Sequence, residues 1–206
     1  MSFATYSDLK TSIASYLARS DLTTQIPDFI TFAENRLRRE LRIRQMLKSV
    51  TTSTVSGDST VELPSDFLEI RDFVVMTNPI TPLSYSSPST LSNDVRGSEV
   101  GVPRSYTILA NEFLMSPIPD SAYTLRMLYF AAPTYLSSSN ASNVFLTTAP
   151  DALLYASLIE AEPYMFNDAR INTWGTMYDR AISSLTKSDE QGQYSGVPLA
   201  MKLTPR

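Results

Sequence analysis

The 206-residue chain contains no cysteine and no histidine. Those two absences remove Cys/His zinc sites, Ser-His-Asp triads, Cys-His dyads, disulfide frameworks and imidazole proton shuttles together. Glycine is scarce too: six residues, scattered singly, form neither GxGxxG nor a Walker pattern, so no glycine-rich loop is available to cradle a phosphate. No apolar run approaches the roughly 18 residues that would cross a bilayer. The opening MSFATYSDLK lacks a basic segment followed by an apolar core. Neither a membrane span nor a signal peptide is expected, and synthesis in a cytoplasm follows. Charged residues are also few, at 18%, against a usual quarter. Much of the polar surface must therefore be Ser, Thr and Asn, a neutral surface that suits an assembly subunit.

What is present centres on Thr24 to Lys48, TQIPDFITFAENRLRRELRIRQMLK. Ile26, Phe29, Ile30, Ala33, Leu37 and Leu41 recur at three- and four-residue steps, which puts them on one stripe of a helix. Thr24 offers a cap, Pro27 falls in the first turn where no donor is lost, and Asp28 lies near the positive end of the dipole. The far half is basic. Arg36, Arg38, Arg39, Arg42, Arg44 and Lys48 face only Glu40, a local excess of positive charge in a chain of net charge −4. Arginines spread around a helix cannot all point to bulk water beside one apolar stripe. Their planar, multi-donor heads suit carboxylate or phosphate partners, so the helix reads as a core element that is also an interface.

Around it the pattern predicts three more helices. Thr5 to Arg19 carries Leu9, Ile13 and Leu17 and a Thr5-x-x-Asp8 capping box. The short link Ser20 to Thr23 predicts an antiparallel hairpin with the basic helix. From Thr148, with Asp151 completing a second capping pattern, a run containing Leu153, Leu154, Ala156, Leu158 and Ile159 is apolar nearly all round, the mark of a central helix, and Pro163 should end or kink it. Asp168 to Lys187 carries Ile171, Trp174, Tyr178, Ala181 and Leu185 at helical spacing. Asp151 to Glu190 holds seven acids against three bases, so acidic helical surface is available to the basic helix, in its own chain or a neighbour's.

Between the helices the period changes to two. Ser49 to Val55 and Thr60 to Leu63 around Gly57-Asp58 predict a hairpin. Pro64 and Asp66 open a brief turn before a strand from Ile70 to Met76. Asn78 to Gly101 reads as a long irregular excursion, of the kind that is usually functional. Ser105 to Leu109 and Phe113 to Ser116 predict strands about an Ala110-Asn111-Glu112 turn, and Ser121 to Phe130 a third with Tyr123, Leu125, Met127 and Tyr129 on one face. The expected fold is α+β: an antiparallel four-helix core from residues 1–47 and 144–190, a small antiparallel β lobe inserted at 48–143, and an extended C-terminal arm at 191–206. The arm alternates Tyr194, Val197, Leu199, Met201 and Leu203 with polar and proline residues, which suits docking in an extended form.

Chemistry is hard to find. Carboxylate pairs at Asp66 and Glu69, Glu160 and Glu162, and Asp189 and Glu190 meet the minimum for a glycosidase, but nothing in the pattern places one in a cleft. Ser184-Leu185-Thr186-Lys187 matches SxxK at a helix end, and Asn140-Ala141-Ser142 matches a glycosylation sequon without secretory context. Neither a metal site nor a cofactor is expected, and the chain does not read as an enzyme.

The order of phrases carries a resemblance. YSDLKTSIASYLARSDLTTQIPDFITFAENRLRRELRIR, then LPSDFLEIRDF, then GVPRSYTILANEFLMSPIPDSAYTLRMLYFAAPTYL, then NVFLTTAPDALLYASLIEAEPYM is similar to the head-to-tail adaptor, or head-completion, proteins of tailed bacteriophages, in particular the podovirus-type adaptors beneath the portal. The resemblance runs from Tyr6 to about Leu185. It implies a virion protein, made in the host cytoplasm and assembled as a ring of twelve copies between the portal and a tail nozzle or tube protein. It also implies a channel continued for the passing genome, held in and later ejected without sequence readout. Residues 191–206 would then be the arm laid on the portal. Arg36, Arg38, Arg39, Arg42 and Arg44 are the residues expected to make subunit contacts, with channel-facing DNA contact second. The rival classes are a virion-associated wall hydrolase working with two carboxylates, and a carbohydrate-binding module using the tyrosines of the β lobe.

Overall fold

The structure, a computed structural model, describes residues 4–91, 99–165 and 170–193. It divides into two compact units, one drawn from residues up to Gln45 and from Pro133 onward, the other from Met46 to Ala132.

The helical unit contains α1 (Tyr6–Leu17), α2 (Ile26–Glu40), α3 (Val144–Thr148), α4 (Pro150–Glu160), α5 (Glu162–Met165) and α6 (Ile171–Gln193). α1 starts at the expected capping box: Thr5 Oγ1 accepts from Asp8 N at 3.2 Å, and Asp8 Oδ2 accepts from Thr5 N at 3.1 Å. α4 is the centre, with Ala152, Leu153, Ala156 and Leu158 fully buried. α1, α2 and α6 all pack against it. The seam expected between α1 and α2 as a hairpin is thus filled mainly by α4, whose apolar circumference needs cover on every side.

α2 is shorter than the pattern predicts. It begins after Gln25, which carries no side-chain cap bond, so Thr24 is not the cap. It stops at Glu40 because Leu41 turns extended, with φ −97° and ψ 136°. A 3-10 turn, Arg44–Met46, and strand β1 (Leu47–Ser53) follow. Leu41 and Ile43 are nonetheless buried. Helical spacing continued past the helix because the core did. Further along, Thr148 closes α3 rather than capping α4; the cap is Asn143, whose Oδ1 accepts from Leu146 N at 3.1 Å. α4 starts instead on Pro150 in its first turn. α6 continues through Gly192 to Gln193, so the first residues assigned to an extended arm are helical.

The β unit contains β1, β2 (Thr60–Glu62), β3 (Phe67–Val75), β4 (Thr81–Pro82), β5 (Ser84–Tyr85), β6 (Ser105–Leu109), β7 (Glu112–Ser116) and β8 (Thr124–Ala131). They form two four-stranded sheets, ordered β1-β8-β3-β4 and β2-β7-β6-β5. The expectation of a four-helix core with a small antiparallel β lobe is therefore corrected. Among the described residues the protein is mixed α/β, with four helices longer than ten residues, shorter helices beside them, and two full sheets. The β5–β6 pairing is parallel. The expected hairpin of β1 with β2 does not form, because each pairs with a strand far along the chain: β1 with β8, β2 with β7. Gly57, at φ +82°, turns the chain from one sheet to the other. The hairpin of β6 and β7 is as expected, with Ala110 in the left-handed region at φ 53°.

One apolar cluster fills the space between the sheets. Phe73, Val75, Leu125, Met127 and Tyr129 come from β3 and β8, and Tyr106, Phe113 and Met115 from β6 and β7. The alternation read in Tyr123 to Tyr129 is realised, since Leu125, Met127 and Tyr129 are all fully buried. Tyr129 donates its hydroxyl to Asp66 Oδ1 at 2.8 Å, and Lys48 Nζ reaches Asp66 Oδ2 at 2.7 Å. Burial pushes the Tyr129 hydroxyl up to about 12, with the Asp66 carboxylate adding to it. Burial acts upward on Asp66 as well, but the bonds from Lys48 and Tyr129 outweigh it and leave that carboxyl below its ordinary value. A carboxyl lowered by folding stabilises above its unfolded value, and the gain is lost as pH falls through the folded value. Asp66→Ala should cost about 1–3 kcal/mol at neutral pH and flatten the acid limb of stability, as read from urea midpoints across pH.

Candidate assembly interface

The arginines of the basic stretch have different surroundings. Arg36 pairs with Glu160 of α4 at 2.9 Å and lies 5.8 Å from the ring centre of Tyr178. Arg38 sits 3.5 Å above the ring of Tyr135 and donates to the Pro133 carbonyl. Arg42 turns back on the helix, donating to the carbonyls of Arg38 at 2.8 Å and Leu41 at 2.7 Å. A cation there satisfies C-terminal carbonyls and the negative end of the dipole. Arg44 donates its backbone amide to Asp189 Oδ1 at 3.0 Å, with its Nε 3.6 Å from the same oxygen. Asp189 is 6% exposed. The acids of the late helices thus serve the basic stretch within one unit.

Arg39 is different. It is exposed and has no ion pair or hydrogen bond among the described residues. Counting at about 100° per residue, Arg39 lies on the same outward line of α2 as Asp28, Phe32 and Asn35. Phe32 is 54% exposed. Beside this line, Tyr135 is 39% exposed and donates its hydroxyl to Asn35 Oδ1 at 2.5 Å. The result is an open stripe with an aromatic ring at its middle, a free cation at one end and an acid at the other. The sequence reading passed over Phe32, although its place off the Phe29-Ala33-Leu37 stripe, where it has no part in the helix's own core, was a signal that could have found it.

The surface is braced from below by Glu34. Only 1% exposed, it accepts from Leu136 N at 3.1 and 3.3 Å and from Asn143 Nδ2 at 2.5 Å. Burial pushes its carboxyl up, against the pull of those bonds and of nearby Arg38. Tyr178 is also raised, by burial and then by its hydrogen bond to Glu40.

At least one acid of each pair weighed for hydrolysis has a structural partner. Asp66 holds Lys48 and Tyr129, Glu160 holds Arg36, and Asp189 holds Arg44. Among the described residues no cluster of three acids could hold a metal ion, and no helix is long and apolar enough to cross a membrane. Of the tyrosines considered for sugar binding, Tyr85 is 62% exposed and meets Tyr106 edge-on at 5.8 Å. Tyr194, Val197, Leu199, Met201 and Leu203, the expected portal-binding arm, lie outside the described residues.

Two comparisons with known proteins bear on these surfaces. The family model described as SU10 adaptor protein matches residues 4–202, which agrees with the phage-adaptor resemblance read from the phrase order. No curated protein matches the chain.

Proposed function

The chain belongs to the SU10 adaptor protein family, and from that premise we propose that it is a ring-forming adaptor. It joins the portal to the tail nozzle or tube protein and continues the DNA channel through which the genome is retained and later ejected. The ring is a closed, head-to-tail arrangement of copies, twelve by the resemblance, in which one surface of each copy meets a different surface of the next. The observation that carries this reading is the open stripe Asp28, Phe32 and Arg39. Arg36, Arg38, Arg42 and Arg44 are engaged within their own unit, and Arg39 alone of the five has no ion pair or hydrogen bond among the described residues. Phenylalanine and arginine are among the residues enriched at the cores of protein interfaces. A net charge of −4 suits a channel wall that lets DNA pass better than one that grips it.

Arg39→Glu is expected to abolish the ring, as seen by native mass spectrometry and negative-stain microscopy, and to leave monomer helix content intact. A surface change on a helix costs the monomer less than about 0.5 kcal/mol, whereas a lost hot spot weakens each contact by about 2 kcal/mol, roughly 30-fold per interface. An unchanged oligomer, or an unchanged ability to join portal particles, counts against the role.

A further inference from the structure

Among the described residues, the first strand of the β unit has an open edge. β1 pairs with β8 in the register Lys48↔Tyr129, Val50↔Met127, Thr52↔Leu125 and lies at the end of its sheet. The polarity of its hydrogen bonds follows from its continuation, where Thr54 N donates to the carbonyl of its partner Tyr123 at 2.9 Å. Residues directly opposite alternate between exchanging both bonds and exchanging none. Lys48, Val50 and Thr52 therefore bond to β8, and Ser49, Thr51 and Ser53 turn their N–H and C=O groups outward. On the far side of β8, Met76 N donates to Thr124 O at 2.8 Å, which assigns the complementary set of β8 residues to β3 and agrees with this phase. Ser49, Thr51 and Ser53 are all exposed.

Natural sheets guard such edges with proline, bulges, charges or very short strands. β1 has none of these. It is seven residues long, its pairing with β8 is unbroken, and its single charge, Lys48, is drawn to Asp66. The other sheet ends are guarded: β4 is two residues long and contains Pro82, β5 has two residues, and β2 has three. No second edge in the described residues is long enough to be its mate.

We propose that β1 accepts an added strand, and that the strand is Leu199 to Thr204 of a second copy. This rests on the reading that copies of the chain assemble. Thirteen residues follow the last described one, and within them LAMKLT is a proline-free run between Pro198 and Pro205. Its alternation matches the edge it would join. Leu199, Met201 and Leu203 would lie beside Val50 and Thr52, on the face where Val50 already packs partly buried against the core cluster. Ala200, Lys202 and Thr204 would lie beside Ser49, Thr51 and Ser53. The backbone bonds supply affinity and the alternating pockets supply register. The resemblance directs this segment to the portal; the free edge gives it a docking place on a neighbouring subunit.

Hydrogen exchange on the full-length protein tests the assignment. On association, amide exchange at Ser49, Thr51 and Ser53 should slow by about tenfold or more relative to dilute monomer. Thr51→Pro removes an outward amide, the one kind of strand position where proline is tolerated, so it should fold and lose both the protection and the association. Ala200→Pro with Met201→Pro, which leaves the sequence of both sheets unchanged, should do the same. Association with β1 amides still exchanging freely overturns this inference and leaves the ring reading standing. Protection that survives the tail variant, or that does not depend on concentration, overturns the second copy's tail as the occupant. If the wild-type chain never associates, both readings fail.

Discussion

Replacing Phe113 with alanine should cost the β unit about 3–5 kcal/mol. Phe113 is fully buried, and its ring meets Phe67 edge-on at 5.6 Å, Phe73 at 4.9 Å and Tyr106 at 5.9 Å. Its ring carries β7 across to β3, so removing it takes the central ring out of the contact between the two sheets and leaves Phe73 on Tyr106 at 5.2 Å. The lost apolar transfer and the cavity left behind act together, because rings fixed by their own strands relax only partly. Set against a typical total of about 5–15 kcal/mol, that is about a fifth of the stability of a domain at the least. The urea midpoint should fall with the m value unchanged. Phe113→Leu, which keeps most of the volume, should cost clearly less. A Phe113→Ala protein with a wild-type midpoint would mean that the two sheets do not share one core.

The helices were legible in the sequence wherever the core demanded a period of 3.6, and their ends were not. α1 was fixed by its capping box and α4 by its apolar circumference. α2 was overextended because Leu41 continues the apolar spacing and is buried, while its backbone has already turned extended. The longer strands were legible one at a time, since period two is local, whereas β4 and β5, two residues each, lie in the stretch read as an irregular excursion. Their partners were not, because β1 with β8 and β2 with β7 are pairings that no local turn signal announces. The same blindness hid the second sheet and made the β region look like a small lobe.

For the interface, composition alone singled out five arginines, and only packing separates them. Arg36 and Arg44 are spaced to reach Glu160 and Asp189, residues more than a hundred positions away. Arg42 serves its own helix end. Charge on a helix shows that partners are needed, but which charges are already matched is a property of the fold. Arg39 stands apart for that reason, and so does Phe32 beside it.

Glu34→Ala on α2 should cost about 2–5 kcal/mol, because it leaves two donors, Leu136 N and Asn143 Nδ2, without their shared acceptor in a buried place. Glu34→Gln keeps more. Oε1 accepts from both Leu136 N and Asn143 Nδ2, so a glutamine with its oxygen in that place holds both donors, and only its new amide, in the place of Oε2, meets Leu136 N at 3.3 Å as donor against donor. A glutamine should therefore recover most of the loss. The wild-type carboxyl is raised by folding above the usual 4.5, so the folded state binds its proton more tightly than the unfolded one. Stability from this group is greatest below 4.5 and falls as pH rises through the raised value. The gap between wild type and Glu34→Ala should accordingly narrow from acid to neutral pH, which paired urea titrations would measure; a gap that widens with pH would refute the burial argument. The loop that Glu34 ties down carries Tyr135, which stacks on Arg38 and bonds Asn35 beside Phe32 and Arg39. Glu34→Ala should for that reason weaken subunit contact even where the helices remain folded, whereas a change at exposed Lys187 should leave both properties alone.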